Sequence, residues 1–510
     1  MNRCGFVPTG ETDEYGRCPR PTHADADYCV FHLSATERRR LDIPTDALQE
    51  AFRSDVEAPD DRRRQYVGIQ LDGFDLSALV IDGQDVSRIE FHDLTVEGTV
   101  DLTGSIVRHP VVFTNCQINR IDTTDATFVD DVRIEASRVG DRNTGGTALR
   151  CRRAAFEGSL HISETRIDGG VEFAATRIDD WVELDGCTVS GRIHCSNASF
   201  RMAQFINTDC EDETEFTGMA AEHVTFEQVT FDEGADFAET TIGTLRFRPI
   251  GDVRCRFLNA TINGGRLDQP QDGTALYDLT DATIGEVALD CSVETFDRYR
   301  FYRTQYDGFP FATYRRFLRA NRWRLHEYAG NHEHSTPIDT DGLELTYLHA
   351  KQGASAVGDN ENASAFFIRE LRYRRQRYAA VALDPGHDLS HRINAGLRWF
   401  TNGFLDLIAG YGERPQCVVG IAFAVILSCA VVYPATAGLD TGTQTLTYAN
   451  NGPTAVTDGL YFSVVTFATL GLGDVHPMGD VGRLLAASEA LVGAFLTALF
   501  VFSLGRRVIR

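Results

Sequence analysis

The sequence predicts a multidomain membrane protein: a small cysteine-bearing segment, a solenoid of stacked β-coils, a helical connector and a C-terminal pair of membrane-spanning helices. Three features carry this prediction. Large apolar residues recur every five and then every eleven residues through the first half of the chain, a spacing that belongs to neither a helix nor an ordinary strand. Aromatic and arginine residues at helical spacing follow. Two long apolar runs then close the chain, with no lysine or arginine between Leu439 and Gly482.

A length of 510 residues calls for several domains. The net charge of -24 opposes nonspecific attraction to nucleic acid and to anionic lipid, so no nucleic-acid partner is expected. The acid excess resembles that of proteins from salt-loving archaea, where it is a solvent-facing trait. Twelve cysteines lie scattered along the chain, without the density of a secreted disulfide scaffold. No basic segment followed by an apolar run opens the sequence, so the soluble part is expected to stay in the cytoplasm.

Within residues 1–40, Cys4, Cys18, Cys29 and His32 supply three sulfur ligands and one imidazole. That is the donor set of a closed structural zinc site, and Cys29 and His32 are close enough to share an ion from one turn. The first two gaps are loose for a paired knuckle, and the competing reading is a set of unconnected cysteines. Gly5, Gly16, Pro8, Pro19 and Pro21 supply the tight turns such a site needs.

From Leu71 the anchors Leu76, Ile81, Val86, Phe91 and Val96 follow at intervals of five. An eleven-residue register then takes over. It runs through Leu160, Val171, Val182 and Ile193, through Ile162, Phe173, Leu184 and Cys195, and through Phe156, Ile167, Ile178, Val189 and Phe200. Phe226, Phe231, Phe237, Ile242 and Phe247 return to fives with one slip. Small and polar residues such as Asp75, Ala78 and Gly83 between the anchors suit outward faces and corners, which predicts a coil whose turns stack. Residues 66–290 resemble the pentapeptide-repeat proteins, and that resemblance implies a right-handed quadrilateral β-helix. The eleven-residue stretch departs from the pure pentad. No constellation of catalytic residues stands out, and no enzyme is expected. The β-helix is a candidate surface for a protein partner.

Residues 291–390 are expected to form a helical connector, with Tyr314, Phe317 and Leu318 at helix spacing and a second helix from Ala363 to Ala380. The stretches from Gly330 to Gly342 and from Gly353 to Asn362 read as polar and exposed. Residues 391–412 read as an amphipathic helix at the inner membrane surface. Leu397, Trp399, Phe400, Phe404 and Leu407 accompany Arg392 and Arg398, and the helix ends at Gly410-Tyr411-Gly412.

Residues 413–510 hold the two spans, at about 415–437 and 483–505, the first uncharged from Cys417 to Ala435. Arg392, Arg398 and Arg414 precede the first span, and Arg506, Arg507 and Arg510 follow the second, which places both chain ends in the cytoplasm. Between the spans, Asp458 to Ala468 has the length and acidic start of a short half-helix whose C-terminal end favours a cation. Thr469-Leu470-Gly471-Leu472-Gly473-Asp474 follows, with glycines able to turn carbonyls inward.

The segment Gly459–Gly505 resembles the pore of two-helix potassium channels: Thr-x-Gly-x-Gly-Asp at Thr469 to Asp474, then Pro477, Gly482-Arg483 and Gly493. The resemblance implies a homotetramer, a carbonyl-lined selectivity filter carrying potassium ions in transit, and a gating hinge at Gly493. Leu470 and Leu472 stand where valine and an aromatic residue are usual, which bears on selectivity. Glu489, one turn before Gly493, reads as pore support, because a carboxylate within a span faces protein or water. Asp474 and Asp480 could concentrate cations at the outer mouth. The expectation is thus a tetrameric potassium-conducting channel of the cell membrane with cytoplasmic ends. The alternative is a membrane-anchored interaction scaffold with a degenerate or non-selective cation pore.

Overall fold

The computed structural model describes the chain except residues 1–2, 9–11, 13–14, 25, 45, 59, 83–86, 143–144, 329–336, 437 and 509–510. Gly83, Val86, Gly330 and Arg510 therefore lie outside the described residues. The chain divides into two compact units, Met1–Ile338 with Gln352–Gly358, and Asp339–Lys351 with Asp359–Arg510.

The first unit is a parallel β-solenoid, preceded by helices α1 (Ala35–Arg40) and α2 (Ala47–Val56). Each short strand pairs in parallel with the strand one coil further on. Leu160 lies beside Val182, Val171 beside Ile193, and Phe156 beside Ile178 and then beside Phe200 through its partner. Residues 22 apart therefore stack in one column, and residues eleven apart face one another across the coil. The eleven-residue register of the sequence is half a coil, and four pentads nearly fill a whole one, so the two periods describe one architecture.

Stacking at the spacing of parallel strands brings like side chains face to face. The rings of Phe216, Phe237 and Phe257 form a continuous pile with centroid separations of 4.7 and 4.8 Å and interplanar angles of 5° and 7°. Phe91 on Phe113 and Phe128 on Phe156 repeat the arrangement at 4.8 and 4.9 Å. The corners are equally regular. Arg153, Ala175, Asn197, Glu239, Asn259, Asp281 and Arg303 all take left-handed backbone angles, with φ between 55° and 59°. That conformation costs most residues energy, and β-branched residues are absent from this series.

The ladder continues past the expected boundary at residue 290. Tyr299–Arg300 pairs with Tyr277–Asp278, and Gln305–Tyr306 pairs with Thr283–Ile284. The aromatic residues expected to open the helical connector instead fill and plug the last coil. Tyr306 and Phe309 pack on Phe311 at 4.6 and 4.9 Å, and the Tyr314 hydroxyl accepts a 2.7 Å hydrogen bond from the Leu289 amide. Arg300 is fully buried and paired with Asp278 at 3.0 Å. Tyr314 leads directly into the short helix α3 (Arg315–Ala320).

The helices α4 (Thr340–Ala356), α5 (Asn360–Leu383) and α6 (Leu389–Ala409) follow. Helix α4 begins in one and ends in the other of the two stretches that read as polar and exposed. The stretch ending at Asn362 was expected to be exposed, yet Asp359 and Asn362 are buried because they cap α5: the Asp359 carboxylate accepts from the Asn362 amide at 3.3 Å and from its side chain at 2.6 Å. Asp406 of α6 accepts two 3.1 Å bonds from Arg372 and pairs with Arg375 at 3.2 Å, joining α6 to α5. Leu389, Ile393, Leu397, Phe400, Phe404 and Leu407 recur at intervals of three and four on α6, and all are exposed. Helices α7 (Pro415–Val432), α8 (Tyr448–Asn451), α9 (Ala455–Phe467) and α10 (Gly479–Val508) complete the chain.

Candidate functional site

The stretches Pro415–Ala435 and Gly479–Gly505 are long and apolar enough to cross a membrane, and only 28% and 17% of their most apolar windows is buried within the chain. Core helices of a water-soluble fold would be mostly enclosed, whereas these present Phe423, Leu427, Leu484, Leu491 and Val501 outward. Both helices pack on the short helix α9. At its start, a Cβ on Gly459 would sit 2.3 Å from the Ala430 carbonyl oxygen, so the glycine is what lets α9 touch the backbone of α7. At its end, a Cβ on Gly493 would sit 2.3 Å from the Phe467 carbonyl oxygen, so the expected hinge position is also the place where α10 meets the last turn of α9.

Beyond α9 the chain leaves helical geometry at once. The Leu470 amide donates to the Val465 carbonyl at 3.0 Å, and the backbone turns left-handed at Thr469, Gly471 and Gly473 with φ of 54°, 56° and 77°. Thr469 to Asp474 is exposed throughout in the single chain, including the side chains of Leu470 and Leu472. Asp474 is fastened from behind by the Tyr461 hydroxyl at 2.5 Å. The chain after it is held by a three-stranded antiparallel sheet in which Leu439–Asp440 pairs with Thr445–Leu446 on one side and with His476–Pro477 on the other. Asp480 starts α10 in its first turn.

Glu489 is buried inside this assembly, where its carboxylate accepts a 2.5 Å hydrogen bond from the Tyr433 hydroxyl and contacts the Ser463 hydroxyl. The Ser463 hydroxyl also lies 3.0 Å from the Ile426 carbonyl, so its one proton serves either acceptor. Tyr433 lies edge-on to Phe462 at 4.8 Å, in a cluster with Cys429, Leu439 and Leu446. One carboxylate from α10 thus ties the end of the first span to α9. Tyr433, Tyr461, Ser463 and Gly459 were not singled out from the sequence. Nothing in a lone tyrosine or serine marks its partner, although Gly459 inside a helical pattern is a signal of close backbone approach.

The N-terminal set is also brought together: one ligand atom from each of Cys4, Cys18, Cys29 and His32 lies within 4.8 Å of every other.

A short helix pinned between two apolar helices and followed by a glycine-bearing loop is the plan of an ion-channel pore region, and residues 420–510 match the ion-channel family model. A stretch of 46 residues is 48% identical to "Two pore potassium channel a" of Oryza sativa subsp. japonica. The match covers 9% of this chain and 13% of the rice protein. No solved structure matches the chain. The protein is therefore a β-solenoid joined to a two-helix pore region homologous to that of a potassium channel, and this C-terminal region is an ion-channel domain rather than a catalytic one.

Proposed function

We propose that four copies of this chain assemble a potassium-conducting channel, with Thr469, Leu470, Gly471, Leu472, Gly473 and Asp474 from each copy forming the selectivity filter. The observation that carries the reading is the loop itself: it leaves α9 with Gly471 and Gly473 at positive φ and is anchored at Asp474 by Tyr461. One chain supplies one such strand, and a ring of oxygens able to replace an ion's hydration shell needs several. Potassium enters from the outer side past Asp474 and Asp480, sheds water in the filter and leaves between the inner ends of α10. The C-terminal end of α9 points its partial negative charge toward that path.

In this reading both chain ends lie in the cytoplasm. The apolar stripe of α6 rests in the inner interface of the cell membrane, immediately before the first span. The coil of about four pentads, 22 residues from Leu160 to Val182, supports a quadrilateral β-helix of the pentapeptide-repeat kind, available to a protein partner. Glu489 supports the pore by holding Tyr433 and Ser463, and opening is set by α10 near Gly493.

The test is ion flux into liposomes holding the purified protein under potassium and sodium gradients, with Gly471→Ala as control and the assembly mass measured in parallel. Potassium flux abolished by the substitution supports the reading. Equal sodium flux would replace potassium selectivity by a general cation pore, an outcome to which Leu470 and Leu472 are relevant. A monomeric or dimeric mass removes the channel mechanism and leaves a membrane-anchored scaffold.

A further inference from the structure

We propose that Cys4, Cys18, Cys29 and His32 bind one zinc ion, and that this ion fastens the N-terminal segment as a cap over the first coil of the solenoid. Three distances within the set are close to those of a ligand shell. Cys18 Sγ lies 3.9 Å from Cys29 Sγ, and His32 Nδ1 lies 3.2 Å from Cys29 Sγ and 3.6 Å from Cys4 Sγ. A tetrahedron with zinc–sulfur bonds of about 2.3 Å and a zinc–nitrogen bond of about 2.0 Å has edges of about 3.8 Å between sulfurs and about 3.5 Å between sulfur and nitrogen. A disulfide would place two sulfurs about 2.05 Å apart and would leave the third thiol over. Three thiolates and an imidazole in a closed tetrahedral set select zinc over hard cations.

The surroundings prepare the site. His32 Nε2 lies 2.9 Å from the Val67 carbonyl, to which it donates, leaving the Nδ1 lone pair for a metal. Phe6 stacks flat on the His32 ring at 3.9 Å. The Cys29 amide donates to Cys4 Sγ at 3.2 Å, and the buried guanidinium of Arg20 stands 3.9 Å from Cys18 Sγ, so negative charge on the sulfurs is met from two sides. Arg20 is itself held by Asp55 at 2.5 Å.

The placement assigns the ion a task. Val67 belongs to the first strand, Gln65–Val67, so the imidazole joins the metal site to the first coil. The open end of a solenoid exposes apolar side chains and unpaired backbone and needs a cover. Here Phe31 meets Tyr66 and Phe74 edge-on at 5.2 and 6.4 Å, and Phe52 of α2 packs on the same two rings at 5.4 and 5.6 Å. Before α1, among the described residues, the segment that carries Phe31 has no helix beyond isolated turns and one bridge, Arg3 to Pro21. Scattered loop hydrogen bonds, among them the Cys4 amide to the Arg20 carbonyl, the Gly5 amide to the Asp27 carbonyl and the Cys18 amide to the Phe6 carbonyl, join parts of the segment, and a four-ligand ion would lock them together.

The experiment uses the full chain in detergent and stands apart from the pore reading, because it reads metal and proteolysis rather than flux. Elemental analysis after exhaustive dialysis is expected to give one zinc per chain, and about none in Cys29→Ser. Cobalt exchanged for zinc should show the ligand-field absorption of a tetrahedral thiolate site. In His32→Cys, which keeps four soft ligands and the fold, those bands should shift rather than vanish. Chelation should open the chain before Ser34 to protease while the solenoid fragment survives. Zinc retained in Cys29→Ser would mark an adventitious ion and overturn the site, as would wild-type protein with neither zinc nor a cobalt spectrum. Chelated protein as protease-resistant as the loaded form would overturn the capping role.

Discussion

Glu489 and Tyr433, 56 residues apart in the sequence, meet in a 2.5 Å hydrogen bond inside the pore region. Each belongs to a different helical segment, and the carboxylate extends the link to Ser463 of α9. Replacing Glu489 by leucine removes the partner of the Tyr433 hydroxyl, whereas Ser463 keeps the Ile426 carbonyl at 3.0 Å. A buried group left unpaired costs about 1–3 kcal/mol. Thermal unfolding of the detergent-solubilised protein should therefore show a lowered midpoint for Glu489→Leu and a smaller decrease for Tyr433→Phe. Unchanged midpoints would remove Glu489 from the support of the pore.

Tyr461 and Asp474 make the corresponding tie at the other end of the loop. Tyr461→Phe keeps the ring and deletes the donor. In the liposome assay this variant is expected to lower the ratio of potassium to sodium flux while the assembly mass stays the same. A wild-type ratio would show that the loop from Thr469 to Asp474 is held by other contacts.

Gly459 and Gly493 are places of close backbone approach, each with a carbonyl oxygen 2.3 Å from a built Cβ, whereas Gly420 has nothing within 4 Å. Alanine at either of the first two must push helices apart and should lower the unfolding midpoint. Gly420→Ala should be neutral or stabilising, by up to about 1 kcal/mol for a helix interior. If Gly493 served only as a hinge, Gly493→Ala would alter flux and leave the unfolding midpoint in place, so the two measurements separate hinge from packing.

Burial raises the thiols of the solenoid: Cys116, Cys151 and Cys210 are pushed up to about 12 and Cys187 to about 11. An unfolded thiol ionises near about 8.5, so the unfolded chain releases these protons first as pH rises. The stability tied to the neutral thiols is complete below about pH 8.5 and is lost progressively toward about pH 11–12. Denaturation of the protein across that window should show a falling midpoint, less steep when Cys116, Cys151, Cys187 and Cys210 are replaced by alanine. Equal slopes would show that other groups govern the alkaline limb. Thiol reagents at neutral pH should leave these four cysteines unmodified in the folded chain.

The sequence by itself determined the stacking of the solenoid and the plan of the pore region. Both are written as local periodicity: the recurrence of Leu160, Val171, Val182 and Ile193 follows from a coil of fixed length, and the two apolar runs around Thr469 to Asp474 follow from the thickness of a bilayer. Those signals lie along the chain, where spacing alone reveals them. What only the tertiary structure decided is which distant side chains meet. The ladder runs on to Tyr306 because aromatic residues at helix spacing serve equally well as the core of a last coil. Tyr433 reaches Glu489, Tyr461 reaches Asp474, and His32 turns its second nitrogen to Val67. A hydrogen bond between residues far apart leaves no period and no composition to read, since its energy depends on a distance that exists only once the chain has folded.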